Sequence, residues 1–190
     1  AQRISLLRDL EPMLSEAVNL IQETFDLYYA QIYLVDPSGR SLHLRAGTGE
    51  LGKILARRGH RLPIDGRSLN GLAVTERRSI LVEDTQSSEL HRPNPLLPET
   101  RSELTVPMIA GDRVVGVLDL QSNRVAGLSD DKLSAFEALA GQLAVAIENS
   151  NLFEQVDVTQ QALKNQALRL STEGWQEFMD AIEVPERMGY

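Results

Sequence analysis

The residues best equipped for chemistry gather in one stretch. Between Asp84 and Glu103 lie His91, Asn94, Thr100 and Arg101, which with the two flanking acids make the densest polar group in the chain. Arg101 offers a planar fork suited to a carboxylate or phosphate, while His91 and Asn94 supply hydrogen bonds to a polar ligand. Most of this stretch is a run of roughly 18 residues, 84–101, that contains Pro93, Pro95 and Pro98. A loop that long inside a compact domain is commonly functional or disordered. Folded over a sheet, it brings Asp84, His91, Asn94, Thr100, Arg101 and Glu103 to the wall of a pocket. A plainer reading competes. Arg101 and Glu103 pair with neighbours at a strand start, Asn94 pins the Pro-rich loop, and Glu103 is the best suited of the group to a structural role. Downstream, Asp119 interrupts an apolar strand. A buried carboxylate is costly unless paired or hydrogen-bonded. It therefore faces the pocket or satisfies nearby loop amides, and the second is preferred here.

Other chemistries are disfavoured. Gly47-Thr48-Gly49-Glu50-Leu51-Gly52 is a literal G-x-G-x-x-G after a strand, with Asp65 about where a ribose-binding acid belongs. The preceding strand belongs to a hairpin, however, and too few residues follow for the crossover of a βαβ unit, so the glycines read as turn and loop residues. The chain has no cysteine, which removes disulfides, thiolate catalysis, Cys-ligated zinc and thioether-attached chromophores. His43, His60 and His91 are too scattered for a metal signature, and no Ser-His-Asp arrangement or nucleophile elbow is visible. No metal and no cofactor is expected. The formal charge of -8 disfavours nucleic acid, which requires a basic stripe, and docking on an anionic membrane. No apolar run approaches the ~18 residues of a membrane span. Beginning at Ala1 without Met, the sequence reads as a piece of a longer, soluble, cytoplasmic protein.

The elements that must position these groups follow from periodicity. Ile4, Leu7, Leu14, Val18, Ile21 and Phe25 fall on a three-four spacing, the stripe of an amphipathic helix, with a break or kink expected at Pro12. Tyr28 and Tyr29 are expected to cover core at the end of that helix. Residues 30–36 and 41–46 read as a hairpin around Asp36-Pro37-Ser38-Gly39. A short helix over 50–58, a strand over 60–64, a helix over 69–77 capped by Ser68 and a strand over 79–82 follow. Leu104 to Ile109 and Arg113 to Gln121 form a second hairpin, whose latter strand is apolar enough to be central. Pro107 in its partner calls for an edge position or a bulge. Ser129 caps a long helix expected to reach about residue 170. Leu133, Phe136, Ala140, Leu143 and Ile147 mark its sheet-facing stripe. Val145, Leu152, Val156, Leu163 and Leu170 form a weaker heptad-like seam, which predicts a parallel coiled coil with a second subunit. Ala138, Gly141 and Ala144 are small enough to admit another helix or to serve as core filler. Ser171 to Gly174 are expected to break the helix, and Trp175, Phe178, Met179 and Ile182 to begin another.

At this point the helix–hairpin start, the run RSELTVPMIAGDRVVGVLDLQS and the run LAGQLAVAIENSNLF resemble a GAF domain. The segments AQIYLVD, RAGTGE, GHRLPI and HRPNPLLPETRSEL resemble a subgroup found in multidomain bacterial signalling proteins, often beside histidine kinases. The resemblance implies an α+β fold: a GAF/PAS-like central antiparallel sheet, N- and C-terminal helices packed on one face, and a loop-covered pocket on the other. It divides the chain into a leading signalling helix (1–11), the GAF domain (12–155), a coiled-coil-like exit helix (156–170) and a tail that begins the next domain (171–190). GAF domains bind cyclic nucleotides, bilins, haem or small metabolites, and some serve only as dimerisation units. Covalent bilin attachment and methionine sulfoxide reduction both work through cysteines, absent here, and the Asn-Lys…Phe…Asp-Glu signature of the phosphodiesterase domains is not found. The resemblance thus implies a non-catalytic sensor that forms a homodimer through its terminal helices, takes an unknown small molecule and acts on a downstream output domain in the same chain. The alternative is a ligand-free module for dimerisation and domain spacing.

Overall fold

The computed structural model describes the backbone over residues 2–183 and the side chains over residues 10–175. Helix α1 (Gln2–Phe25) leads into the hairpin of β1 (Tyr29–Val35) and β2 (Ser41–Gly47). Helix α2 (Gly49–Arg57), strand β3 (Arg61–Pro63), helix α3 (Leu69–Glu76) and strand β4 (Ile80–Val82) follow, then a single 3-10 turn at Thr85–Ser87 within the long loop. Strands β5 (Ser102–Ala110) and β6 (Arg113–Ser122) form the second hairpin, and helix α4 (Asp130–Glu183) ends the described chain. The six strands make one sheet in the order β3-β2-β1-β6-β5-β4, with every adjacent pair antiparallel. The closing hairpin lies beside the opening one, which makes β6 central as its apolar run predicts.

Local chemistry explains the turns. In the first hairpin the Asp36 carboxylate accepts from the backbone N–H groups of Arg40 at 2.9 Å and Ser41 at 3.1 Å, and from the Ser38 hydroxyl at 2.7 Å. These donors hold its carboxyl well below the usual carboxylate range. Ser68 caps α3 as predicted, its hydroxyl accepting from the Gly71 N–H at 3.1 Å. Ser129 stands immediately before α4, its carbonyl accepting from the Lys132 N–H at 3.1 Å, while its hydroxyl donates to the Asp131 carboxylate. Pro107 sits inside β5, but pairing with β4 reaches only to Thr105, opposite Ile80, and a register irregularity follows Met108. On the β4 side, Pro107 therefore faces no ladder to interrupt.

Strand alternation sorts the core into two clusters. On one face, Ala30 and Ile32 of β1, Leu104 and Val106 of β5, and Leu118 and Leu120 of β6 pack beneath Leu14, Val18 and Ile21 of α1 and Phe136, Ala140, Ala144 and Ile147 of α4. Phe25 and Phe136 join the two helices, with ring centroids 4.5 Å apart. On the other face, Tyr33, Leu42, Leu44 and Val117 pack against Leu55 of α2 and Leu69 and Ala73 of α3. Ala144, read as either a helix contact or filler, is filler. Tyr29 belongs to β1 and not to the end of α1, because the helix stops at Phe25.

Two expected breaks are absent. Helix α1 runs unbroken across Pro12, where an interior proline costs about 3 kcal/mol. Leu10, Leu14, Val18 and Ile21 are all buried on one side of it, at about 1.5–3 kcal/mol each, so tertiary burial outweighs the lost bond. Ile4 and Leu7 lie outside the described side chains. Helix α4 continues through Ser171–Gly174 for 54 residues, since a lone glycine costs only about 1 kcal/mol relative to Ala. Phe178, Met179 and Ile182 lie within its backbone but outside the described side chains, and residues 184–190 lie outside the described chain. The seam residues Val145, Leu152, Val156, Leu163 and Leu170 are all exposed.

The G-x-G-x-x-G run is a packing device. A Cβ on Gly52 would sit 2.0 Å from the carbonyl of Gly47, so only paired glycines let the first turn of α2 touch the end of β2. Gly141 of α4, by contrast, would carry a Cβ with nothing within 4 Å. The same substitution should therefore have opposite signs at the two positions. Gly52→Ala is expected to lower stability by about 1–3 kcal/mol through overpacking, and Gly141→Ala to raise it by up to about 1 kcal/mol. Urea denaturation of both variants at low protein concentration checks this.

Candidate functional site

Period-two alternation along the central strands builds the site. Gln31 of β1 lies opposite Asp119 of β6, Asp119 opposite Thr105 of β5, and Glu103 of β5 opposite Gln121 of β6. These positions alternate with the residues under the terminal helices, so they share the other face. Glu103 and Asp119 are diagonal cross-strand neighbours on that face, a spacing at which longer side chains interact. Both are deeply buried, at 6% and 1% exposure.

A hydrogen-bonded network surrounds them. Asp119 Oδ2 accepts from Gln31 Nε2 at 2.6 Å and from Asn70 Nδ2, on α3, at 3.3 Å. Tyr33 donates its hydroxyl to Gln31 Oε1 at 3.3 Å, and Thr100 donates to Gln121 Oε1 at 2.7 Å. His91 Nδ1 lies 2.6 Å from Glu103 Oε2. Asp119 Oδ1, Asn70 Oδ1, Thr105 Oγ1 and the Tyr29 hydroxyl have no hydrogen-bond partner among the described residues. Burial, reinforced by the Glu103 charge, pushes the Asp119 carboxyl up to about 8, and burial pushes Glu103 up to about 7. Burial lowers His91 against a smaller opposing pull from Asp119, and raises both Tyr33 and Tyr29. The distance between His91 and Glu103 would suit an ion pair, but both shifts favour the neutral forms.

Between this floor and the long loop lies a cavity of about 620 Å³, within the size range of small-molecule sites. Leu55, His60, Leu62, Leu69 and Tyr33 form its apolar and aromatic wall, and Arg67, Arg92, Asn94 and Leu96 surround its mouth. Tyr33 and His60 approach with ring centroids 6.2 Å apart. A larger groove of about 990 Å³ runs between the β1–β2 turn and α4. It has no comparable buried polar floor, so the smaller cavity is the candidate site.

Of the residues singled out from sequence, Asn94, Glu103 and Asp119 line this cavity. His91 and Thr100 stand behind its wall, bonded to Glu103 and Gln121. Asp84 and Arg101 are not brought to it. They approach each other at 3.3 Å, and Asp84 also accepts from the Gln86 N–H to start the 3-10 turn. Asp119 does not satisfy loop amides: its partners are side-chain amides of β1 and α3, because the strand directs it into the cavity. Glu103 likewise lines the cavity. Asn94 does pin the loop, its side chain accepting from the Leu96 N–H at 3.0 Å. Gln31, Tyr33, Asn70 and Gln121 were missed. For all but Asn70 the signal was the alternation itself, since Tyr29, Gln31 and Tyr33 share one face of β1 and Asp119 and Gln121 share one face of β6.

The sequence matches the GAF domain family over residues 8–148, and the chain belongs to that family. No curated protein matches it. Among solved structures it is similar to a GAF domain region from Geobacter sulfurreducens PCA, at 28% identity and TM-score 0.63, covering 78% of this chain and 99% of that one. A free methionine-R-sulfoxide reductase from Neisseria meningitidis, in complex with its substrate, aligns at 26% identity and TM-score 0.65, covering 80% and 87% of the respective chains. The GAF domain of a phosphoenolpyruvate-protein phosphotransferase from Coxiella burnetii shares the fold at 20% identity and TM-score 0.67, covering 79% and 95%. No helix among the described residues is long and apolar enough to cross a membrane.

The raised carboxyls make a prediction about pH. A native carboxyl above its unfolded value holds its proton longer than the unfolded chain does, so stability falls as pH rises from the unfolded value through the native one. For Asp119 and Glu103 that window runs from about pH 4 to about pH 8. His91, lowered, acts in the opposite sense below its ordinary value, which leaves pH 6.5–8 as the clean part of the window. There, wild-type stability should fall by at most about 1.4 kcal/mol per pH unit for each proton held. Asp119→Asn should flatten the slope, as measured by urea denaturation across that range.

Proposed function

We propose that this chain is a non-catalytic GAF sensor domain of a multidomain signal-transduction protein, which binds a small molecule in the 620 Å³ cavity and relays the signal through paired terminal helices. The observation that carries this reading is the cavity itself. Its floor holds buried acids and amides, some of whose atoms have no partner among the described residues, and buried polar groups left unpaired cost about 1–3 kcal/mol each. A ligand that satisfied them would be favoured by the amount that its absence costs.

The absence of cysteine supports a non-catalytic role, since the family resemblance assigns the sulfoxide reduction of this fold to cysteines. The exposed seam on α4 supports the dimer. Leu152, Val156, Leu163 and Leu170 repeat along a helix that extends past the sheet, and a coiled coil with a second copy buries them. Signal transfer then requires that the ligand bind two packings of the helices with different affinity. We place the domain in the cytoplasm, upstream of an output domain in the same chain. One observation favours the ligand-free spacer instead: several floor groups already bond to one another, as in the Gln31–Asp119 and Thr100–Gln121 pairs.

Native mass spectrometry of freshly purified protein separates the two readings. The sensor predicts a dimer carrying an additional small-molecule mass, and a bare dimer that takes up nothing from a metabolite extract would support the spacer. The double variant Leu152→Glu, Leu163→Glu should be monomeric with an unchanged thermal transition of the sheet domain. A dimer that survives both charges would move the interface away from the α4 seam.

A further inference from the structure

The chemistry of the cavity narrows what it can hold, provided that it is a ligand site as proposed above. Hydrogen-bond accounting comes first. Asp119 Oδ2 is used by Gln31 and Asn70, while Asp119 Oδ1 and Asn70 Oδ1 have no partner among the described residues. Asn70 is itself only 6% exposed and lines the same cavity. Asn70 Oδ1 is an acceptor without a donor, and Asp119 Oδ1 becomes one when the acid pair, joined by a Glu103–Asp119 hydrogen bond, gives up its proton, so both then call for donors from the ligand.

The placement of charge agrees. The acids Glu103 and Asp119 form the floor, whereas the cations of the cavity wall, Arg67 and Arg92, stand exposed at the mouth, where Arg92 Nε donates to the Arg67 carbonyl at 3.1 Å. An anion-binding pocket requires the reverse. The remaining titratable groups facing the floor are His91 from the loop and Tyr29 and Tyr33 from β1, with His60 on the wall and Asp65 near the mouth. None of these brings a permanent positive charge to the acids. The Tyr33 ring beside them presents an electron-rich face of the kind that attracts cations.

We propose that the cavity takes a small organic cation, an amine, amidine or guanidine, whose charged head sits on Glu103 and Asp119 and whose apolar body lies along the Leu55–Leu62–Leu69 wall. The cation keeps its N–H protons, and a carboxyl O–H of the acid pair is released to solvent as the carboxylate forms beneath it. Capture is therefore coupled to pH: acid conditions protonate the pair and compete with the ligand, so affinity falls as pH falls. Because His91 is bonded to Glu103, the arriving head group also draws on the contact that ties the loop to the sheet.

The test uses three probes of matched shape and opposite charge, benzylamine, benzyl alcohol and benzoate, titrated into the full chain at pH 6, 7 and 8. Two-dimensional NMR follows the side-chain amides of Gln31 and Asn70 as reporters of the floor. Benzylamine is expected to shift these signals and to bind at least about tenfold more tightly than benzyl alcohol at pH 8. Its affinity should weaken by up to about tenfold per pH unit toward pH 6, with benzoate not binding at the floor. Asp119→Asn and Glu103→Gln should each cut the preference for the amine over the alcohol to less than about threefold, with wild-type dispersion of the backbone amide spectrum showing that the variants are folded. Alcohol or benzoate binding as tightly as the amine would overturn the cation proposal and leave the small-molecule reading standing. An amine preference that survives both substitutions, or failure of all three probes to reach the floor, would also overturn it. In that last case native mass spectrometry still decides independently whether the cavity carries a ligand.

Discussion

The three central strands must serve two incompatible environments at once. Along β1, β5 and β6, one set of alternate residues is apolar and sealed beneath α1 and α4, while the other set includes Gln31, Glu103, Thr105, Asp119 and Gln121. A one-residue slip of any strand would exchange the sets, placing carboxyls under the helices. Register is therefore fixed from both sides, by burial on one and by cross-strand hydrogen bonding on the other. The polar face cannot close into a dry core, nor can a sheet of this width leave it bare beside Leu42, Leu44 and Val117. Helices α2 and α3 cover its apolar margin, and the long loop covers what they leave.

The loop is tied down by the groups it covers. Thr85 donates its N–H to the Arg101 carbonyl and its hydroxyl to the Thr100 carbonyl, closing the loop at its base. Thr100 and His91 then reach Gln121 and Glu103 on the floor. Loop, floor and cavity form one hydrogen-bonded body, in which the protonation of Glu103 bears on how firmly the loop is held. Asp84 and Arg101, at the same base, contribute a partly exposed ion pair, and such pairs add little stability.

Most of the architecture was legible because period and turn chemistry agree in it. Leu42 and Leu44 alternate with polar residues, Asp36 and Gly39 suit their turn, and Ser68 stands one residue before α3. The two misplaced helix breaks share one cause. Pro12 and Gly174 are local breakers, and a local penalty of a few kcal/mol does not end a helix whose burial or neighbouring propensity outweighs it. The site was only partly legible for a different reason. Charge drew notice to Asp84 and Arg101, whose partners are each other, whereas Gln31 and Gln121 look unremarkable until the register places them beside Asp119 and Glu103. Asn70 arrives from a helix nearly fifty residues from Asp119 in sequence, and no local pattern announces it.

Helix α4 is both a wall of the core and an oar. Its first turns are clamped under the sheet by Phe136, Ala140, Ala144 and Ile147, and the remainder, to Glu183, extends over about 54 Å at 1.5 Å per residue. The clamp is the rowlock. A tilt of about one degree there, well within what repacking a few side chains produces, sweeps the far end through about 1 Å on that length. Amplification of this kind requires no flexible joint and would be lost at one. The same continuity that overrides Ser171 and Gly174 thus allows a sub-ångström adjustment beneath the sheet to become a displacement the size of a bond length at the tip.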